Sequence, residues 1–305
     1  MENLQTDKII ILAGATGHLG GRIAHYLLQR GATVRALVRK GADIRKLNEL
    51  KQAGIMVVEV DYNNPQELAK ACEGGICFIS AVSGLGDVIV DAQTKLLEAA
   101  VKVGVPRFIP SDFSIDFTKL PDGSNRNLDL RRQFSRILDK APIQATSILN
   151  GMFTDLLTGQ APVILSGPKL VLHWGSADQL MDFTTIENTA EFTAAAALDP
   201  KTPRYLRVAG EVATVRQLRQ SAEEASGNKF RILRAGGLGF LNLMIKMAKT
   251  LAPQKGEVFP AWQGMQYLHN MLSGLPKLQP LDNTRYPEIR WTSVKEVLAN
   301  ATESK

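Results

Sequence analysis

Ile9-Ile10-Ile11-Leu12-Ala13-Gly14-Ala15-Thr16-Gly17-His18-Leu19-Gly20 joins an uninterrupted apolar run to a turn punctuated by glycines. A run apolar at every position suits a strand covered on both faces, as in the middle of a parallel sheet. A helix follows, with Leu19, Ile23, Tyr26 and Leu27 on one face and Gly31 at its end. Between strand and helix the glycines are spaced G-x-x-G-x-x-G. The first lets the chain turn tightly, the second lets the backbone approach a pyrophosphate with no Cβ in the way, and the third lets helix and strand pack closely. Free amides at the helix start point at the diphosphate, where the helix dipole also favours negative charge. Gly14, Thr16, Gly17, His18, Leu19 and Gly20 are therefore candidate dinucleotide-binding residues.

Downstream the strand and helix alternation repeats, which predicts an α/β fold of the Rossmann type, a doubly wound parallel sheet. Val34–Val38, Ile55–Val60, Ile76–Ser80, Arg107–Pro110 and Ala145–Leu149 are predicted as strands two to six. Asn64-Pro65-Gln66-Glu67 starts one intervening helix with an N-cap, a proline at the first position and a glutamate at the third. Val88–Val103 and Leu128–Asp139 are two further amphipathic helices. Beyond Phe153 turn-prone pieces interrupt the pattern, and a smaller C-terminal α+β lobe is expected there. The boundary is placed at residue 155, with a dinucleotide-binding domain over 1–155 and a substrate or partner lobe over 156–305, partly interleaved with the first. The lobe is expected to hold a helix over Thr185–Leu198, a strand over Tyr205–Ala209 and an apolar helix over Leu238–Leu251. Lys246 and Lys249 interrupt that last helix, so it reads as core or as a lid over the ligand and not as a membrane anchor.

The composition is that of a folded protein, with 45% apolar and 22% charged residues in 305. The net charge of +6 is spread along the chain without a basic run, which argues against a nucleic-acid tail and fits an anionic small ligand. Met1 to Lys8 is polar and acidic, where a signal peptide needs a basic run and an apolar stretch; with no apolar span of membrane length, a cytoplasmic protein is expected. Cys72 and Cys77 match neither a disulfide framework nor the spacing of a metal site, so two buried thiols and no metal are expected.

The second strand ends Leu37-Val38-Arg39-Lys40, where an NAD-preferring protein places an acid to hold the ribose hydroxyls. Arg39 can instead grip a 2′-phosphate bidentately, which favours NADP(H). Asp61 ends the third strand, where an adenine edge is expected. Ser80, Ala81 and Val82 end the fourth, beside the expected ribose and diphosphate.

The glycine turn, Val38-Arg39, Asp61-Tyr62-Asn63-Asn64-Pro65 and Val105-Pro106-Arg107-Phe108-Ile109-Pro110-Ser111-Asp112-Phe113 together resemble the NmrA and isoflavone reductase group of atypical short-chain dehydrogenase/reductases. The resemblance is close over Lys8–Phe153 and in outline beyond. It implies an NADP(H) site made by the glycine turn, Arg39, Asp61 and Ser80-Ala81-Val82, with a small lobe closing over the substrate.

Catalytic residues transfer less directly. None of the five tyrosines is followed four residues later by lysine, so the Tyr-x-x-x-Lys pair of typical short-chain dehydrogenases is missing. Reductases of the isoflavone type rely on a lysine in the helix before the sixth strand, and that place falls on Arg131 or its neighbour Arg132. An arginine stabilises an anion or holds a ribose but does not readily act as a base. Arg131 is thus the candidate catalytic residue of an NADP(H)-dependent reductase acting on a small carbonyl or conjugated substrate, aromatic ones included. The competing reading is a non-catalytic dinucleotide sensor that signals to a regulatory protein partner. An epimerase on the same fold is disfavoured by the absent tyrosine pair.

Overall fold

The computed structural model describes residues 8–303. Met1–Asp7, most of the stretch compared above with a signal peptide, lies outside the described residues. Contacts divide the chain into two units: Met1–Asp112 with Leu130–Ile148 and Thr189–Leu206, and Phe113–Asp129 with Leu149–Asn188 and Arg207–Lys305.

The first unit is built on β1 (Ile9–Ala13), α1 (His18–Gln29), β2 (Thr33–Arg39), α2 (Ile44–Gln52), β3 (Met56–Val60), α3 (Pro65–Cys72), β4 (Cys77–Ser80), α4 (Gln93–Lys102), β5 (Arg107–Ile109), α5 (Arg126–Leu138) from Leu130 onward and β6 (Gln144–Ala145). The six strands are all parallel and lie in the order β3-β2-β1-β4-β5-β6, the doubly wound arrangement read from the sequence. Every strand therefore ends on the same edge, and ligands of such sheets sit outside the carboxyl ends where the order reverses, beside β1 and β4. Ile10 to Ala13 are fully buried, as the apolar run requires. Phe78 of β4 stacks on Phe108 of β5 with ring centroids 5.0 Å apart, and Phe134 of α5 packs beside them.

Three elements differ from the sequence reading. The helix expected over Val88–Val103 begins with a π-helical stretch, Asp87–Ala92, before α4. Gln93 Nε2 donates to the Ile89 carbonyl at 2.6 Å and Thr94 Oγ1 to that of Val90 at 2.7 Å, side-chain bonds to main-chain oxygens of the wider turn. The sixth strand does not run through Ala145–Leu149. It leaves the sheet at Thr146, whose hydroxyl bonds that of Thr202 at 2.7 Å, and β7 (Ser147–Leu149) pairs with residues 205–207 instead. Helix α2 carries only two buried side chains, Leu47 and Leu50, and so left little apolar period to read; the Asp43 side chain caps it.

Completing the chain are β8 (Met152–Phe153), β9 (Ile164–Leu165), β10 (Leu170–Trp174), β11 (Met181–Thr184), α6 (Ile186–Leu198), β12 (Tyr205–Arg207), β13 (Glu211–Ala213), α7 (Val215–Ser226), β14 (Arg231–Gly236), α8 (Leu238–Leu251), α9 (Ala261–Leu272) and α10 (Val294–Glu303). In the second unit two three-stranded sheets form, β14-β10-β9 and β13-β11-β8. Helix α8 occupies the expected span, but it is not a core helix. Leu241 and Ile245 are buried, whereas Phe240, Leu243, Met247 and Leu251 are exposed. No helix among the described residues is long and apolar enough to cross a membrane.

Candidate dinucleotide site

The three glycines of the turn do three different things. Gly14 has φ +88°, and a Cβ there would stand 2.4 Å from the Ala81 carbonyl oxygen, so side chains are excluded twice over. Gly20 is buried in the first turn of α1, where a Cβ would meet the Gly14 oxygen at 2.1 Å. Gly17 is the exposed N-cap of α1, and its N–H donates to the Gly14 carbonyl at 3.0 Å. No side chain caps α1, and the amides of His18, Leu19 and Gly20 have no acceptor among the described residues. A helix start with free N–H groups and the positive end of its dipole suits a diphosphate.

Thr16 and Gly17 also line a groove of about 420 Å³ between α1 and α2, together with His25 and Lys46. His18 is exposed beside it, and its carbonyl accepts from Arg22 Nη1 at 3.0 Å. Lys46 was not singled out from the sequence, because nothing in a polar surface helix distinguishes one lysine from the next.

At the carboxyl end of β2 Arg39 is exposed, and its guanidinium makes no hydrogen bond or ion pair among the described residues. Its neighbour Lys40 is engaged, donating to Glu67 at 2.9 Å. Glu67 also accepts from the Asp61 N–H at 3.0 Å, and these contacts with the main chain and Lys40 hold its carboxyl below the usual range. Asp61 turns inward on its own loop: Oδ1 accepts from the Asn63 N–H at 2.8 Å, which shapes the entry to α3. Tyr62 donates to the Leu37 carbonyl at 3.3 Å, and burial pushes its phenol up to about 12.

Beyond β4, the Ala81 N–H donates to the Ala13 carbonyl at 2.8 Å, binding this strand end to the glycine turn. Ser80 is fully buried, and its hydroxyl has no partner among the described residues. The Val82 carbonyl accepts from Ser111 Oγ at 2.6 Å, and the Ser111 N–H donates to Gln93 Oε1 at 3.0 Å. Gly14 to Gly20, Arg39, Asp61 and Ser80 to Val82 thus share the carboxyl edge of four adjacent parallel strands.

Arg131 lies on α5, half-buried, with Nε out of contact with solvent. Asp112, three residues past the end of β5, is fully buried, and its Oδ2 accepts from Ser147 Oγ at 2.6 Å. Burial pushes the Asp112 carboxyl above the usual range, against the Ser147 hydrogen bond and the positive charges of Arg131 and Arg204. Ser147 and Arg204 had no sequence signal; they are 57 residues apart and meet only in the fold.

Known proteins resemble this chain over nearly its whole length. A bifunctional pinoresinol-lariciresinol reductase of Linum usitatissimum is 27% identical over 308 residues, covering 95% of this chain and 97% of the reductase. Among solved structures, AtPrR2 with NADP+ and (+)pinoresinol superposes with a TM-score of 0.79 at 22% identity, over 97% of this chain and 99% of that one. The leucoanthocyanidin reductase–NADPH binary complex from Vitis vinifera superposes with a TM-score of 0.80 at 18% identity, over 96% and 99%. At those identities the two structures speak to the fold. The NmrA-like family profile matches residues 6–255, and the chain belongs to that family.

Proposed function

We propose that this chain is an NADPH-dependent reductase of a small aromatic substrate, of the kind that pinoresinol represents for its relatives. The observation that carries this reading is the pairing of three amides at the start of α1, without acceptors among the described residues, with the Arg39 guanidinium, which has no hydrogen bond or ion pair among them, on the same sheet edge. The likeness to a pinoresinol-lariciresinol reductase over 95% of the chain supports it.

The residues present fit NADP(H). The α1 amides take the diphosphate, Gly14 and Gly20 keep the backbone close enough for them to do so, and Arg39 takes the 2′-phosphate, with Lys46 in the adjoining groove. Bound NADPH supplies a hydride. Arg131 stabilises negative charge that develops on the substrate, a part that an arginine fills without giving up a proton.

The test is NADPH and NADH binding followed by fluorescence, together with NADPH consumption in the presence of pinoresinol, enones, quinones and aromatic aldehydes. Turnover with NADPH supports the reductase. Tight binding with no turnover on any of them supports the second reading, a dinucleotide sensor. That reading is favoured by one feature, an arginine at the place where related reductases use a lysine.

A further inference from the structure

We propose that Asp112 is the positioning residue for Arg131, acting from inside a buried network that grips the helix on which Arg131 stands; this rests on the assignment of Arg131 above. The network closes on α5 at named points. Ser147 Oγ donates to Asp112 and accepts from Arg204 Nη1 at 2.6 Å. Arg204 Nη2 donates to Ser135 Oγ at 2.9 Å and Nε to Asp139 Oδ1 at 2.8 Å. Ser135 lies one helical turn beyond Arg131 on α5, and Asp139 follows one turn later at the helix end, so both continue the side of the helix that carries Arg131. The Tyr205 ring lies 4.5 Å below the Arg204 guanidinium and fixes it from behind.

No surface of the Asp112 carboxyl reaches water, and through Ser147 it is joined to the guanidinium that holds Ser135 and Asp139. As the acceptor of the Ser147 proton, Asp112 turns the Ser147 oxygen towards Arg204. Without that acceptor Arg204 loses its hold on α5, and the half-buried Arg131, one turn from Ser135, gains the option of turning towards solvent. A side chain meant to meet developing charge must be held in place beforehand, and a displacement of about 1 Å at such a group costs about 100-fold in rate.

The experiment uses the full-length protein with NADPH and pinoresinol. Asp112→Ala removes the acceptor of Ser147. It is expected to lower kcat about 100-fold while leaving the KM for NADPH unchanged, with Asp112→Glu recovering part of the loss. Combined with Arg131→Ala it should add nothing, since both act through one side chain. A second readout does not depend on turnover. The Arg131 Nε–Hε cross-peak, assigned by its loss in Arg131→Lys, should stand apart from solvent-exposed arginines in the wild type and join them in Asp112→Ala. An unmoved cross-peak, or full additivity of the two substitutions, overturns the proposal. If Asp112→Ala fails to fold, Ser147→Ala is expected to shift the same cross-peak in the same direction, and no shift there overturns it equally. Full turnover in Arg131→Ala instead refutes the role given to Arg131, and the cross-peak alone then decides what Asp112 does.

Discussion

A Cβ on Gly20 would stand 2.1 Å from the carbonyl oxygen of Gly14, whereas one on Gly17 would stand 3.3 Å from the same atom. One oxygen therefore separates a packing glycine from a ligand-facing one. Gly20→Ala forces α1 away from the turn and should cost about 1–3 kcal/mol, in the range of overpacked cores. Gly17→Val places its branched side chain on an exposed N-cap in extended backbone, with its Cβ tight against that oxygen, so it should cost about 1 kcal/mol while the approach of a diphosphate is blocked. Thermal unfolding and NADPH titration of both variants check this. Unaltered NADPH affinity in Gly17→Val refutes the assignment of the turn.

Arg39 is the group on which cofactor choice is expected to turn. Its exposed guanidinium has no hydrogen-bond or ion-pair partner among the described residues, so it engages a 2′-phosphate without first breaking a contact within the protein. Charged hydrogen bonds contribute about 1.5–3 kcal/mol, and Arg39→Asp should weaken NADPH binding by about 10- to 100-fold with little effect on NADH. Competition binding with the two dinucleotides measures it. Equal losses for both remove Arg39 from the 2′-phosphate.

His173 gives a pH dependence with a definite sign. It is buried on β10, and desolvation lowers its pKa from 6.5, helped by the charges of Arg234 and Arg216. The folded state thus holds the imidazole neutral, and below pH 6.5 the unfolded state binds more protons than the folded one. The contribution of this group is complete above the unfolded value and is lost as the pH falls from there towards the lowered folded value. His173→Phe should therefore be most destabilised relative to wild type near neutral pH, and the gap in Tm should narrow towards pH ~5. A gap that stays constant across that interval shows that His173 does not titrate in unfolding.

How much of this was legible in the sequence depended on how far the signal is local. Strand β1 was read to the residue because a buried apolar run is bounded by a glycine that must adopt φ +88°. The six-strand sheet followed from repeated local units of the same kind. Helix α2 was missed because a helix with two buried residues carries almost no period. Strand β6 was overextended because Thr146 and Ser147 leave the sheet for partners at Thr202 and Arg204, far along the chain. The apolar pattern of α8 located the helix correctly but not its burial, since pattern alone does not say which of two apolar faces the fold covers. At the site, the turn and Arg39 were readable from spacing, whereas the Asp112, Ser147 and Arg204 network exists only in three dimensions.

The identity of residue 131 makes a last prediction about pH and rate. Arginine keeps its proton throughout the range in which a lysine gives one up. If Arg131 acts purely as a fixed positive charge, turnover in the wild type should show no alkaline decline attributable to it. Arg131→Lys should retain part of the rate near neutrality and then lose it with rising pH as the lysine deprotonates, while Arg131→Ala should lose about 100-fold or more at every pH. NADPH affinity should be nearly unchanged in both variants, which separates a loss of charge stabilisation from a loss of binding. The measurement is kcat against pH for the three proteins with one substrate. Identical alkaline limbs in wild type and Arg131→Lys would mean that a different group controls the proton, and residue 131 would then be left with no part in the chemistry that its charge could explain.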